Sequence, residues 1–168
     1  MASIKNPEID VEALSRVVSY SPETGKFTWL QGRCKGRVGG NVGSDGYIRI
    51  NVNYARCLAH RLAWLIFYGA WPADQIDHIN GDRSDNRIVN LRAATPQQNQ
   101  ANRAISKNNS SGYKGVRRYR YVVNKPWNAS ITVNRKPRSL GYFASPEEAH
   151  KAYCAAASQI YGEFARSR

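Results

Sequence analysis

The sequence predicts an α+β chain built as two small domains. Three observations carry this: short alternating apolar segments lie on both sides of a central helix and loop region, Cys57 to Tyr68 is apolar nearly all round, and Ser106 to Gly112, with KNNSSG at its core, has the composition of a linker. At 168 residues with 42% hydrophobic and 11% aromatic content, the chain can bury a core in each part. No window reaches the roughly 18 uninterrupted apolar residues of a spanning helix. The opening MASIKNPEID lacks the apolar stretch of a signal peptide. A soluble protein retained in the cytoplasm, with no membrane partner, is the expectation. Cys34, Cys57 and Cys154 are odd in number, far apart and without a C-x-x-C pair, which argues against a disulfide framework or a zinc ribbon and fits a reducing compartment.

Taken in order, the first element is a helix across Asp10 to Val18, with Asp10 as N-cap and Val11, Leu14, Val17 and Val18 at helical spacing. Lys26 to Leu30 and Tyr47 to Val52 read as strands; together with the Gly-rich stretch Gly36 to Gly46 they make two or three strands around a basic loop carrying Lys35 and Arg37. Cys57 to Tyr68 is a buried helix stopped by Gly69 at C′. Gln75 to His78 is a short strand that runs into the polar, turn-rich loop ending at Asn86, followed by Ile88-Val-Asn-Leu91. Thr95-Pro96 opens a helix to about Ile105. After the linker come three strands, Gly115 to Arg120, Trp127 to Val133 and Arg138 to Phe143. A last helix starts at the capping box Ser145-Pro-Glu-Glu148, buries Ala149, Ala152, Tyr153, Ala156 and Ile160, and stops at Gly162. The expected domains are 1–105, with a core at about 46–105, then the linker 106–112, then 113–168.

The net charge of +13 and pI near 10.0 point to a polyanionic partner. Its distribution is one-sided. Residues 1–102 carry a net of +3 and residues 103–168 a net of +10, and between Arg103 and Pro146 there are ten basic residues and no acid. The strand cations Lys114, Arg117, Arg118, Arg120, Arg135, Lys136 and Arg138 are the expected nucleic-acid contacts, whereas the last helix carries Glu147 and Glu148, which phosphate would repel. No exposed aromatic pattern of an RNA-binding sheet is visible, so duplex DNA is expected and RNA is not.

Hydrolysing a phosphodiester at neutral pH requires an activated water, a Lewis acid on the phosphate oxygens and in-line geometry. Asp77-His78 supplies a carboxylate and an imidazole in tandem; because successive strand residues point to opposite faces, one ion or water can use both only where the strand bends, and Asn80-Gly81-Asp82 provides a bend. Asn99, at the fourth position of the helix opened by Pro96, offers an amide oxygen that can complete a hard oxygen site with Asp77. His60 and Arg61 have two readings, phosphate contact or buried structural residues. Asn102 reads as a helix-surface or DNA-facing residue, His150 as exposed, and Trp127 as core.

Asp77-His78, Asn90-Leu91 twelve residues after His78, and Asn99 nine residues after Asn90 resemble the ββα-metal signature of HNH nucleases. With His60-Arg61-Leu62-Ala63 and Ile76 through Asp82 added, the likeness is to the subgroup found in phage and intron-encoded homing endonucleases, over roughly Gly46 to Asn102. The resemblance implies His78 as general base, Asp77 as metal ligand and Asn90 as the residue that shapes the loop and orients the histidine. It places Asn99 where many members have a third histidine; this H-N-N pattern favours Mg²⁺, or Mn²⁺, over zinc. If the chain is phage-encoded, the compartment is the host bacterial cytoplasm.

Tyr113-Lys-Gly-Val-Arg117, Trp127 to Ile131, Leu140 to Phe143, Glu147 to Ala149, Ala152-Tyr153, Ala155-Ala156 and Gly162 resemble the AP2 domain, over nearly all of Ser111 to Arg166. That family lays its three-stranded sheet in the major groove and supports it with the helix, and its contacts map onto Lys114 and Arg117. Together the two resemblances imply a metal-dependent homing-type DNA endonuclease with a separate target-binding module. The alternative is a sequence-specific DNA-binding regulator that does not cut.

Overall fold

The computed structural model describes residues 9–52, 54–120 and 122–167; part of the opening stretch on which the signal-peptide reading rests lies outside them. The chain divides into two compact units, Met1–Ala94 and Thr95–Arg168. Mixed α and β structure in small sheets is what the sequence predicts.

In the first unit α1 (Val11–Val17) starts where Asp10 accepts the Glu12 amide at 2.9 Å, and it buries Leu14 completely. Strands β1 (Val18–Tyr20), β2 (Phe27–Trp29) and β3 (Val38–Gly39) form one antiparallel sheet; β4 (Asn41–Val42), β5 (Ile48–Val52) and β6 (Ala55–Leu58) form a second. This exceeds the two or three strands expected, because pieces of two or three residues are too short to show alternation. Helix α2 (Ala59–Tyr68) begins later than Cys57, since Cys57 and Leu58 pair with Ile50 and Arg49. It ends at Gly69, left-handed at φ +73° with its N–H on the Leu65 carbonyl. Leu14, Val18, Phe27, Ile50, Val52, Leu62 and Leu65 close the core beneath. Strand β7 (Gln75–His78) then pairs antiparallel with β8 (Leu91–Ala94), setting Asp77 opposite Arg92 and His78 opposite Leu91.

The second unit opens with α3 (Pro96–Ala101), capped reciprocally by Thr95 and Gln98. The helix stops at Ala101 instead of running to about Ile105. Carbonyls at its end and just past it are taken by a side chain: the Lys114 ammonium donates to the carbonyls of Ala101 at 2.5 Å and Arg103 at 2.7 Å. Ala101 is buried, and α3 packs with the last helix of this unit, so the division falls at Thr95 and not at 106–112.

Strands β9 (Val116–Arg118), β10 (Trp127–Val133) and β11 (Lys136–Phe143) form an antiparallel sheet in the order β11-β10-β9, and α4 (Pro146–Tyr161) lies across it over Val116, Ala129, Ile131, Ala149, Tyr153 and Ala157. Trp127 is half-buried against this core, as expected. Ser145 caps α4 through the Glu148 amide at 3.2 Å, but Glu148 returns to the Ala144 amide instead of closing a box. Ile160 is 40% exposed, and Ala157 occupies the buried stripe where the sequence suggested Ile160. Among the described residues no helix is long and apolar enough to cross a membrane.

Candidate active site

The loop from Ile79 to Asn90 joins β7 to β8 directly after Asp77 and His78. Its shape is set by Asn90, 6% exposed, whose Oδ1 accepts the Asn80 amide at 2.9 Å while Nδ2 donates to the Asp85 carbonyl at 2.8 Å. The Ile79 amide donates to the Asn90 carbonyl at 2.9 Å, and the Gly81 amide turns back onto the His78 carbonyl at 2.8 Å. One buried amide side chain therefore bridges both arms of the loop, which otherwise holds itself with short Asx turns at Asn80, Asp82 and Asp85.

Asp77 and His78 stand side by side at the end of β7, 3% and 4% exposed, but they are held by different partners. Arg92 donates to Asp77 Oδ2 from Nε at 2.9 Å and from Nη2 at 2.8 Å. The His78 Nε2 lies 3.3 Å from Oδ1 of Asn86, a residue only 1% exposed. Burial pushes the His78 imidazole below its ordinary pKa, opposed by the Asn86 hydrogen bond and by the charges of Asp77, Asp82 and Asp85. The ring is therefore neutral near pH 7, the state a proton acceptor requires. Asp85 is held down to about 2 by its pairing with Arg87 and stays ionised.

A second imidazole meets the first. The His60 ring sits edge-on to His78 with centroids 5.1 Å apart, and Tyr47 lies 5.2 Å from His60 and 5.9 Å from His78. His60 is 5% exposed, and its Nδ1 has no hydrogen-bond partner among the described residues. Burial, followed by the neighbouring His78 and Arg61, pushes its pKa down to about 3. Of the two readings of His60 and Arg61, the buried one holds for both. Arg61 is 5% exposed and donates to the Asp74 carbonyl at 3.0 Å and the Pro72 carbonyl at 3.4 Å, so it is not a surface phosphate contact.

Asn99 lies half-buried on α3, in the second unit. Asn102 is 6% exposed at the C-cap of that helix and so corrects the surface reading, since the end of α3 is packed within its unit. As for an ion, Asp77 offers a buried carboxylate, a hard oxygen donor, although its Oδ2 is already engaged by Arg92. The residue fits a hard divalent cation. Among the described residues no group of three His, Cys, Asp or Glu side chains is placed to hold a metal.

The cations expected on the strands separate into three groups. Lys114 is a correction: its ammonium also reaches the Arg166 carbonyl at 3.1 Å, so it joins two backbone segments through three carbonyls, and burial pushes its pKa down to about 8. Arg117 pairs across from Asn128, on the face opposite the α4-covered Val116 and Ala129, and is exposed there. Arg118 is opposite Trp127 and lies 5.7 Å over its ring, while Lys136 and Arg138 are opposite Val133 and Ile131, which puts all three on the helix-side face at its exposed rim. Arg120 and Arg135 are exposed beside the strands, and Lys35 and Arg37 are exposed in the first unit. His150 is not exposed as expected: Nδ1 lies 3.3 Å from the Lys114 carbonyl and Nε2 3.4 Å from Cys154 Sγ.

Sequence reasoning missed Asn86 and Arg92. Asn86 sits among turn formers and reads as one more of them; Arg92 could have been found from the antiparallel register that places it opposite Asp77.

A buried neutral histidine beside a carboxylate, on a strand closed by an asparagine-pinned loop, is a site suited to a hydrolytic nuclease. Residues 57–101 match the HNH endonuclease family model, and the chain carries an HNH endonuclease domain there. It is 32% identical over 126 residues to an uncharacterized HNH endonuclease, L560, of Acanthamoeba polyphaga mimivirus, covering 74% of this chain; the chain spans 63% of that relative's length. A solved structure of DNA binding and cleavage by the HNH homing endonuclease I-HmuI aligns over 91% of this chain and 90% of that one, with 19% identity and a TM-score of 0.46.

Proposed function

We propose that the protein is a metal-dependent endonuclease of the homing type that hydrolyses phosphodiester bonds in duplex DNA. The observation that carries this is His78: a buried imidazole, hydrogen-bonded to Asn86 and next to Asp77, inside the segment that matches the HNH model. His78 takes a proton from water as the oxygen attacks phosphorus in line, and Asn90 keeps the loop in the form that presents it. Asp77 and Asn99 are the residues that would hold a divalent cation, Mg²⁺ or alternatively Mn²⁺. When bound, the ion supplies Lewis-acid stabilisation of the phosphate and the leaving oxygen.

The second unit anchors the DNA. The AP2 resemblance supports this reading for the sheet of β9, β10 and β11 with α4: Arg117 lies on the face away from α4, Arg118, Lys136 and Arg138 at the rim of the helix-side face, and Arg120 and Arg135 beside the strands, while Lys35 and Arg37 add charge from the first unit. Supercoiled-plasmid nicking with and without Mg²⁺ tests the whole reading. Ion-dependent conversion to open-circle or linear product is expected, and binding without any cutting under either condition would leave the non-cutting regulator as the better description.

A further inference from the structure

Asn86 is more completely buried than any other polar residue described, at 1% exposure, and it belongs to none of the motif positions. Its amide has a fixed orientation. Nδ2 donates to the Ser84 carbonyl at 3.3 Å, so the atom turned to His78 is the oxygen, which can only accept. An acceptor 3.3 Å from Nε2 selects the tautomer with its proton on Nε2 and leaves the lone pair of the neutral ring on Nδ1.

Asn86 is itself held by a part of the chain that precedes the HNH segment. The Tyr20 hydroxyl donates to the Asn86 carbonyl at 2.7 Å, and the Ile88 amide donates to the Pro22 carbonyl at 3.0 Å. Gly25, at φ +70°, lies so close that a Cβ there would stand 2.6 Å from the Asn86 carbonyl carbon and 2.5 Å from the Arg87 nitrogen. The turn between β1 and β2 thus grips the backbone on both sides of the amide.

We infer that Asn86, clamped by Tyr20 and the Pro22–Gly25 turn, is a positioning residue that fixes the Nε2–H tautomer of His78 and thereby makes Nδ1 the atom that takes the proton from water. This rests on His78 being the general base. The edge-on His60 ring adds a wall on another side of the same imidazole.

The test uses the full-length ¹⁵N-labelled chain. Long-range proton–nitrogen correlation spectra, with the His78 ring assigned by its loss in His78→Ala, are expected to show Nε2 protonated and Nδ1 bare in the wild type at pH 7.5. Asn86→Leu, which cannot accept, is expected to give a mixture of tautomers and to lose about 10²-fold or more in single-turnover nicking while keeping its DNA Kd, as when another enzyme's catalytic imidazole loses its tautomer partner. Asn86→Asp keeps an acceptor and is expected to retain the tautomer and recover most of the rate. A wild-type ring protonated on Nδ1, or a folded Asn86→Leu that nicks at the wild-type rate, overturns the inference. If His78→Ala cuts normally, the general-base reading has failed, whatever the spectra show.

Discussion

Arg92 meets Asp77 with two nitrogens on one oxygen, Nε at 2.9 Å and Nη2 at 2.8 Å, across a strand pair that sets the two residues directly opposite each other. Their side chains are 12% and 4% exposed, so the pair is a buried one. Such a pair gains little over apolar residues of the same volume, yet removing one member leaves the other charge desolvated. Arg92→Leu should therefore destabilise the first unit by about 3–5 kcal/mol. Urea denaturation measures this, and a loss below about 1 kcal/mol would mean that Asp77 is solvated or held by other donors.

His78→Ala should reduce turnover by about 10² to 10⁴ and leave DNA affinity nearly unchanged, because a general base is lost and no phosphate contact with it. Asp77→Ala should abolish cleavage and weaken divalent-ion binding, whereas Asn99→Asp should keep part of the activity because it still supplies an oxygen ligand. Single-turnover nicking across a Mg²⁺ series separates these. If Asn99→Ala cuts like the wild type, Asn99 is not a ligand.

His60 makes stability depend on pH. Its folded pKa lies near 3, against about 6.5 in an unfolded chain, so between those values the unfolded state binds the proton and the folded state does not. This residue's contribution is full above about pH 6.5 and falls as the pH drops, by up to about 1.4 kcal/mol per unit. Denaturation midpoints of the wild type and His60→Phe, measured from pH 7 to pH 4.5, should converge on acidification. Parallel curves would show that His60 titrates normally when folded.

How much of this was legible in the sequence follows from how local each signal is. Caps and stops are local, which is why Asp10, Thr95, Ser145, Gly69 and Gly162 all mark helix boundaries as read. The β7–loop–β8 frame of Asp77, His78 and Asn90 was legible because its spacing is short and its turn residues are chemically constrained. Where a long side chain ends was not legible. Arg61 and Lys114 look like surface cations in the sequence but end on backbone carbonyls 11 or more residues away, and His60 and Asn86 matter through packing that brings distant segments to His78. Alternation along β9 and β11, read against β10, is what puts Arg118, Lys136 and Arg138 on the helix-side face.

Lys114 and Arg117 should consequently behave as opposites. Lys114→Met removes an ammonium that satisfies three carbonyls and should cost about 1.5–3 kcal/mol of stability in the second unit with little change in the salt dependence of binding. Arg117→Ala should barely alter stability and should reduce the slope of log K against log salt by roughly 0.9 if it meets one phosphate, or relax sequence preference if it meets a base. Equal salt slopes for Lys114→Met and Arg117→Ala, both lowered, would return Lys114 to the DNA interface.

The division at Thr95 decides where the chain can be cut into working parts. A fragment ending at Ser106 keeps Asn99, but it strips α3 of Lys114 and of the helix it packs on, so Ala101 and Asn102 become exposed in a helix of only six residues. A helix that short does not hold without tertiary support. Fragment 1–106 should therefore fold in its first unit, lose α3, and cut poorly because Asn99 is no longer placed, while 95–168 should fold and bind duplex DNA without cutting it. Most of the positive charge stays with 95–168, so it should also keep most of the salt slope of the intact chain. Circular dichroism and binding across a salt series on both fragments check this. If 1–106 retains full affinity and the full slope, the second unit is not the main anchor, and the exposed Lys35 and Arg37 of the first unit take over that role.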